Sequence, residues 1–395
     1  MIKELTMVKN NYLNNWELKK WDDVLDIRSG RNQKAVLNPN GKYPIIGSAG
    51  KVMGYADDYI CEEGTTIIGR KGTINSPLFI EHKFWNVDTA FGLHSKESLD
   101  NRFLHYFCLS FDFTELDKGS GRPSLVKSDL LKVQIPIPPL PQQKQIVAIL
   151  DKAFAVIDTA KANAEQNLQN AKELFESYLQ NVFENKGDDW EEKVFDNVIA
   201  SSQIGIVRNS KQQSSENPFR YFKMNNILNN NGINDVAYKY IEASADEVEK
   251  YRLYKNDFLF NTRNSLELVG KSCLYLSENE ELTLFNNNIL RVTFRVFLLP
   301  QFVAYAFSSK TIKDSLELIK SGTTGVSGIY YKNLKNLKIP FPLIEKQQII
   351  VQKLDALSTE TKKLEAIYTQ KIADLEEMKK SVLQKAFSGQ LNTIN

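Results

Sequence analysis

IPIPPLPQQKQIVAILD (residues 135–151) and IPFPLIEKQQIIVQKLD (residues 339–355) are nearly one sequence, written a second time at position 339 instead of 135, an offset of 204. Ile135/Ile339, Pro136/Pro340, Pro138/Pro342, Gln143/Gln347, Ile146/Ile350, Val147/Val351, Leu150/Leu354 and Asp151/Asp355 are identical. The register holds without a gap to Ser177-x-Leu179-Gln180-x-x-Phe183, which returns as Ser381-x-Leu383-Gln384-x-x-Phe387. A register kept this long marks an internal duplication, and a duplication sets the architecture before any other feature does.

Each copy reads as extended backbone followed by a long helix. The prolines forbid helix upstream, and Pro141 fits the first helical turn, where its missing N–H is not needed. Beyond it no proline intervenes, and no glycine before Gly187. Apolar or small residues fall at Ile146, Leu150, Ala153, Ile157, Ala160, Ala164, Leu168, Ala171, Phe175, Tyr178 and Val182. Their steps alternate four and three, with one slip from Ala164 to Leu168, which describes a coiled-coil seam with a local phase change. The second seam runs Ile350, Leu354, Leu357, Thr361, Leu364, Tyr368, Ile372, Leu375 and Val382, and slips from Tyr368 to Ile372 at the same repeat position. One helix is alanine-rich and the other leucine-rich. Small knobs facing large ones predict that they pair with each other, antiparallel, as a rod of ~65 Å.

The stretches before the helices echo one another too. Trp16-Glu17-x-x-x-Trp21-Asp22-x-Val24 returns at an offset of 174 as Trp190-Glu191-x-x-x-Phe195-Asp196-x-Val198. Strand-like patches follow at 65–68 and 84–93 in the first half, and at 272–276 and 289–294 in the second. Amphipathic helices are expected at 102–116 and 301–319, each followed by a glycine turn, 119–121 and 321–325. The expected fold is α+β: mixed α/β heads at 1–134 and 188–338, long helices at 135–187 and 339–395, and a pseudo-twofold relation between the halves. The heads diverge far more than the helices. That pattern suits one task performed twice on two different targets.

Composition narrows the task. Fifty Lys+Arg against forty-eight Asp+Glu leave a formal charge of +2, too balanced to announce nucleic acid, although a basic face can hide in a balanced total. Cys61, Cys108 and Cys273 lie far apart. His105-x-x-Cys108 reads as helix packing rather than a metal site. The expectation is a reduced, cytoplasmic protein without structural metal. The polar start, MIKELTMVKNNYLNN, has no signal-peptide core, and the most apolar stretch, 291–307, is broken by Arg295, Pro300 and Gln301, so no membrane span is expected.

A search for catalytic groups yields little. Asn217-Pro218-Phe219 lacks the second proline of a base-holding N-P-P-F segment. Gly47-Ser48-Ala49-Gly50 opens no helix, and Gly270-Lys271-Ser272 has Ser265 where a phosphate loop needs its first glycine. Glu17-x-Lys19, Glu81-x-Lys83 and Glu191-x-Lys193 have no upstream aspartate to complete a metal site. The chain reads as non-catalytic. Contact chemistry for nucleic acid is better represented, because cations beside glycines let side chain and backbone approach phosphate together. In the first head these are Ser48, Gly50, Lys51, Arg70, Lys71, Thr73, Arg122 and Lys127. In the second they are Arg208, Asn209, Lys223, Asn225, Asn226, Arg263 and Asn264, with Thr323 and Thr324 in the glycine turn. Arg and Asn are side chains that address guanine and adenine edges bidentately.

These residues resemble a known family over nearly the whole chain: the specificity subunits of type I restriction–modification systems. The resemblance rests on the Trp-Glu openings, on Gly64-Thr65-Thr66-Ile67-Ile68-Gly69-Arg70-Lys71-Gly72-Thr73 with Phe84-Trp85 and Asp88-Thr89-Ala90, on the glycine-rich turns, and above all on the Ile-Pro-x-Pro…Gln-x-x-Ile helix starts. It implies two target-recognition domains, each binding one half of a bipartite asymmetric double-stranded DNA site. It implies two long helices that space the domains and dock two methyltransferase subunits, and restriction/translocase subunits in the full complex. S-adenosylmethionine, ATP and Mg belong to those partners, and this chain binds no cofactor itself. The 64–73 run has only a loose counterpart in the second half, at 257–263. Rival readings are a specificity subunit whose partner fuses methyltransferase and nuclease, a degenerate nuclease or methyltransferase, and a coiled-coil scaffold that binds no DNA.

Overall fold

The computed structural model describes residues 15–391 except 237, 278–280 and 324. It divides into two compact units, and both divisions fall inside the long helices, between Gln166 and Asn167 and between Ile367 and Tyr368. Each unit therefore holds one head and a portion of each long helix.

In the first unit, Glu17–Lys20 pairs antiparallel with Gln134–Ile137, and the latter feeds the long helix Leu140–Glu184. Pro136 is tolerated because a two-stranded ribbon leaves one side of each strand unpaired. The head is built on an antiparallel sheet in the spatial order Leu25–Ser29, Ala90–Ser95, Thr65–Gly69, Leu78–Ile80. A second sheet orders Val52–Ala56, Tyr43–Ile46 and Trp85–Asn86, with the last pair parallel. The expected strand 84–93 is thus two strands that serve different sheets, separated by a turn at 87–89 in which Ala90 N donates to Val87 O.

The second unit repeats these sheets and adds a short three-stranded one, Arg263–Asn264, Ser327–Gly328 and Ser321–Gly322, where the first unit has a Lys71–Ser124 bridge. Glu191–Val194 pairs with Lys338–Phe341, which feeds the helix Ile344–Phe387. The main sheet orders Ile199–Ile204, Ile289–Phe294, Phe258–Asn261 and Ser272–Leu274, and the smaller one Lys239–Ile241, Phe219–Phe222 and Thr283–Phe285, again with a parallel last pair. The copies also differ in strand register, with a shift between Ile45 and Ile46 in the first head and another in the main sheet of the second. The register slips between Ile199 and Ser201, so the second copy carries an extra residue there. This β-bulge turns the offset of 174 at Leu25/Ile199 into 175 at Asp26/Ser201.

The expected helices of the heads are both interrupted. In the first, helix Asn101–Ser110 ends at Phe111, and Asp112 then caps the 3-10 turn Phe113–Leu116 by accepting from Thr114 N. In the second, Ser309 separates Pro300–Ser308 from Lys310–Ile319, capping the latter by accepting from Ile312 N. Asp and Ser offer the backbone a local acceptor and so favour caps over helix interiors. Cys108 lies buried and His105 half-buried on the first of these helices, where desolvation and then Arg102 lower the imidazole pKa to about 4.

The repeated motif residues hold helices to heads in the same way in both units. Gln143 is fully buried, accepts from Asp100 N (2.8 Å) and donates to Ser98 O and Pro138 O. Gln347, equally buried, accepts from Leu299 N (2.9 Å) and donates to Phe297 O and Pro342 O. Asp151 accepts from Tyr106 Oη and Asp355 from Tyr305 Oη, both at 2.5 Å. Burial, followed by the neighbouring carboxylate, raises both tyrosine pKa values well above normal. The helix ends match as well. Phe387 meets Phe103 and Phe107 edge-on in the first unit, and Phe183 meets Trp190 and Phe302 in the second. Leu383 and Leu179 are buried beside them. Within the first unit the helices pair antiparallel, with Asp158 bonded to Lys379 and Lys161 to Glu376. The expected seam residues are buried or half-buried, except Leu364, which is 36% exposed.

Candidate nucleic-acid interface

Equivalent backbone bonds put the loops of the two heads in register. Arg70 N donates to Thr89 O and Thr262 N to Asn288 O, both at 2.8 Å, just before the returning central strand. Leu125 N donates to Arg70 O and Ile329 N to Thr262 O, both at 2.9 Å. Lys71 bridges Ser124 as Arg263 bridges Gly328. Val87 N donates to Ile46 O as Asn286 N donates to Phe222 O. The turn at 47–50 therefore corresponds to 223–226, the loop 70–72 to 262–264, and Arg122 to Val326.

In the first head these bonds gather the turn 47–51, the loop 70–73, Thr89 and the loop 118–124 on one rim. Ser48 and Lys51 share an open hollow with Val52, Met53 and Thr89. Gly50 closes that turn at φ +78°, and a Cβ there would fall 2.6 Å from Leu78 Cδ1. Gly72, at φ +85°, leaves room for Arg122, whose Nη2 lies 2.8 Å from where a Cβ would stand. The Arg70 guanidinium lies 5.7 Å from the Phe91 ring centroid, a cation–π distance. Lys51, Lys71, Thr73 and Arg122 are exposed. Among the described residues no carboxylate pairs with Lys51, Arg70, Lys71 or Arg122. Lys127 differs: its Nζ donates to Ile27 O at 2.5 Å, which ties it to the sheet.

The second head places its expected residues less uniformly. Asn225 and Arg263 are exposed on the equivalent rim, as is Thr323, whose N donates to Val326 O. Thr324 lies outside the described residues. Lys223 reaches Gln213 Oε1 at 3.2 Å. Asn226 is fully buried, with Nδ2 on Asn234 O and Oδ1 accepting from Lys223 N. Asn264 donates to Asn261 Oδ1 and accepts from Ser265 N. Arg208 is taken up by the Glu247 carboxylate (2.8 Å) and the carbonyls of Glu242 and Val207. The Ser244 amide and then Arg208 hold Glu247 below the usual carboxylate range. Asn209 caps the turn Ser210–Gln212. Gln213 links this pair to the rim by donating to both their carbonyls.

Two rim residues escaped the sequence reading. Arg31 is exposed, with its N on Asn86 O and a bridge to Val87. Asn287 is half-buried beside Asn288. A signal for Arg31 did exist. Gly30-Arg31, Gly69-Arg70 and Gly121-Arg122 are the Gly-Arg dipeptides of the sequence, and the backbone bonds of Arg31 to Asn86, Arg70 to Thr89 and Gly72 to Pro123 tie all three to the loops of this rim. The nuclease-like triplets form ordinary surface pairs instead: Lys19 with Glu17 and Lys193 with Glu191, both at 2.9 Å, and Glu81 beside Arg102. Lys271 of the incomplete phosphate loop donates to Ile227 O. No helix among the described residues is long and apolar enough to cross a membrane.

A family model described as "Type I restriction modification DNA specificity domain" matches residues 14–170 and again 187–376. The chain is 26% identical to the EcoKI type I restriction enzyme specificity subunit of Escherichia coli (strain K12), over 70% of this chain and 62% of that protein. It is 23% identical to the MjaVIII type I restriction enzyme specificity subunit of Methanocaldococcus jannaschii, over 96% of this chain and 94% of that one. A chain solved in work on complex assembly and conformational transition of the type I R-M system shares the fold, with TM-score 0.75 at 18% identity, covering 96% of this chain and 99% of its own.

Proposed function

Because this chain belongs to the type I restriction modification DNA specificity family, matched once in each half, we propose that each head reads one half of a bipartite asymmetric site in double-stranded DNA. The reading is carried by one observation: the heads share a duplicated four-stranded sheet, three-stranded sheet and ribbon, yet their rims carry different side chains at equivalent backbone positions. A shared scaffold with divergent contact groups suits two different half-sites. Phosphate contacts from exposed lysines and arginines supply salt-dependent affinity without sequence information. A few side chains at base edges in the major groove supply the discrimination.

The long helices set the separation of the half-sites and dock two methyltransferase subunits, with restriction/translocase subunits completing the assembly. The repeated clamp residues support the spacing role, because the buried Gln143 and Gln347 side chains tie each helix start to a head through hydrogen bonds and leave little slack there. S-adenosylmethionine, ATP and Mg belong to the partner subunits. This chain contributes recognition rather than catalysis.

The test is a methylation map. The chain is co-expressed with its methyltransferase partner in a methylation-free bacterial host, and modified adenines are located by long-read sequencing with and without it. A split motif with a fixed gap, present only with this chain, is the expected result. A folded complex that modifies nothing would count against the reading.

A further inference from the structure

The two rims differ in a definite chemical direction. At four equivalent backbone positions the first head has Arg31, Arg70, Lys71 and Arg122, where the second has the buried Ile206, then Thr262, Arg263 and Val326. Arg122 is the most defined of the cations. Its guanidinium rests over Gly72, a residue whose left-handed backbone and missing side chain make that place available. Gly72 N donates to Pro123 O at 2.8 Å, which fixes the two loops against each other. In the second head the same ladder continues between Asn264 and Ser327, but the guanidinium is replaced by Val326, which is 61% exposed. An exposed valine on a polar loop does nothing for the core. It suits an apolar contact with a partner.

We infer that Arg122 reads a guanine in the half-site bound by the first head, and that Val326 packs on a thymine methyl of an A·T pair at the equivalent place in the other half-site. This rests on the half-site reading above and adds which base each head demands at one position. The guanidinium fork matches guanine O6 and N7 bidentately, and an apolar side chain matches the thymine C5-methyl. Lysine carries the same charge without the fork, so it keeps phosphate attraction and loses the bidentate match.

The experiment is the same methylation map on the assembled complex, with Arg122→Lys, Arg122→Ala and Val326→Ser. The expected result is that R122K and R122A relax one guanine position in one half-site, with discrimination falling about 5- to 150-fold. The other half-site and the gap stay unchanged. V326S relaxes one A·T position in the opposite half-site. A wild-type split motif that R122K leaves intact overturns the assignment. So does R122A weakening modification evenly at all sites, the behaviour of a phosphate contact. Absence of any split motif with the wild-type chain overturns the half-site reading itself.

Discussion

At the residue scale, the most informative side chains are the two buried glutamines. Gln143 and Gln347, themselves fully buried, each satisfy a cap N–H and two carbonyls. Leucine would fill a similar volume and leave those groups without partners, at about 1–3 kcal/mol for each buried group left unsatisfied. Gln143→Leu is expected to destabilise the first unit by roughly 2–4 kcal/mol, and Gln347→Leu the second by a similar amount. Chemical denaturation of the full chain, followed by tryptophan fluorescence, reads this directly, since Trp16, Trp21 and Trp85 report on the first unit and Trp190 on the second. A loss below ~0.5 kcal/mol in both variants would show that the clamps are dispensable.

At the element scale, the long helices combine a seam with clamped ends. The start of each helix holds one head, and its end packs into the aromatic cluster of the other unit. Conserving both ends of a 204-residue repeat follows from that arrangement, because each helix has to fit two heads. Four residues inserted into each helix at the seam slips, 164–168 and 368–372, add about 6 Å of helix. The gap of the recognised motif is expected to lengthen by one or two base pairs, given ~3.4 Å per base pair along the duplex, while both half-sites stay the same. Methylation mapping of the inserted variant measures the gap, and an unaltered gap would refute the spacing role.

At the scale of the whole molecule, a formal charge of +2 conceals an uneven distribution of cations. Among the described residues, the rim cations without a carboxylate partner are concentrated in the first head, and the second rim carries Arg263 and Lys223 with amides around them. Most of the salt dependence of DNA binding should therefore come from the first head. Neutralising Lys51 and Lys71 together, as Lys51→Gln and Lys71→Gln, is expected to make the slope of log K against log[salt] shallower by about 1.8. The methylated motif should not change. Binding of the assembled complex to its site across a salt series gives the slope, and a shift in motif instead would make these lysines base contacts.

The sequence alone determined the duplication, the two long helices, the seam and the α+β heads. Each of these is written in periodicity, proline placement and repeated register, which local stereochemistry translates directly into structure. It also showed which residues could meet DNA, but not which of them are free to do so. Lys127, Arg208 and Asn226 have the same composition signals as Lys71, Arg263 and Asn225, yet the fold engages the former through Ile27 O, Glu247 and Asn234 O. Arg31 joined the rim only because a bridge to Val87 brings it there. The breaks at Phe111 and Ser309, and the bulge at Ala200, likewise depended on how strands and helices meet. A side chain's type is a local property, whereas its availability depends on partners that the chain brings together from far along its length. Only the tertiary structure decides that.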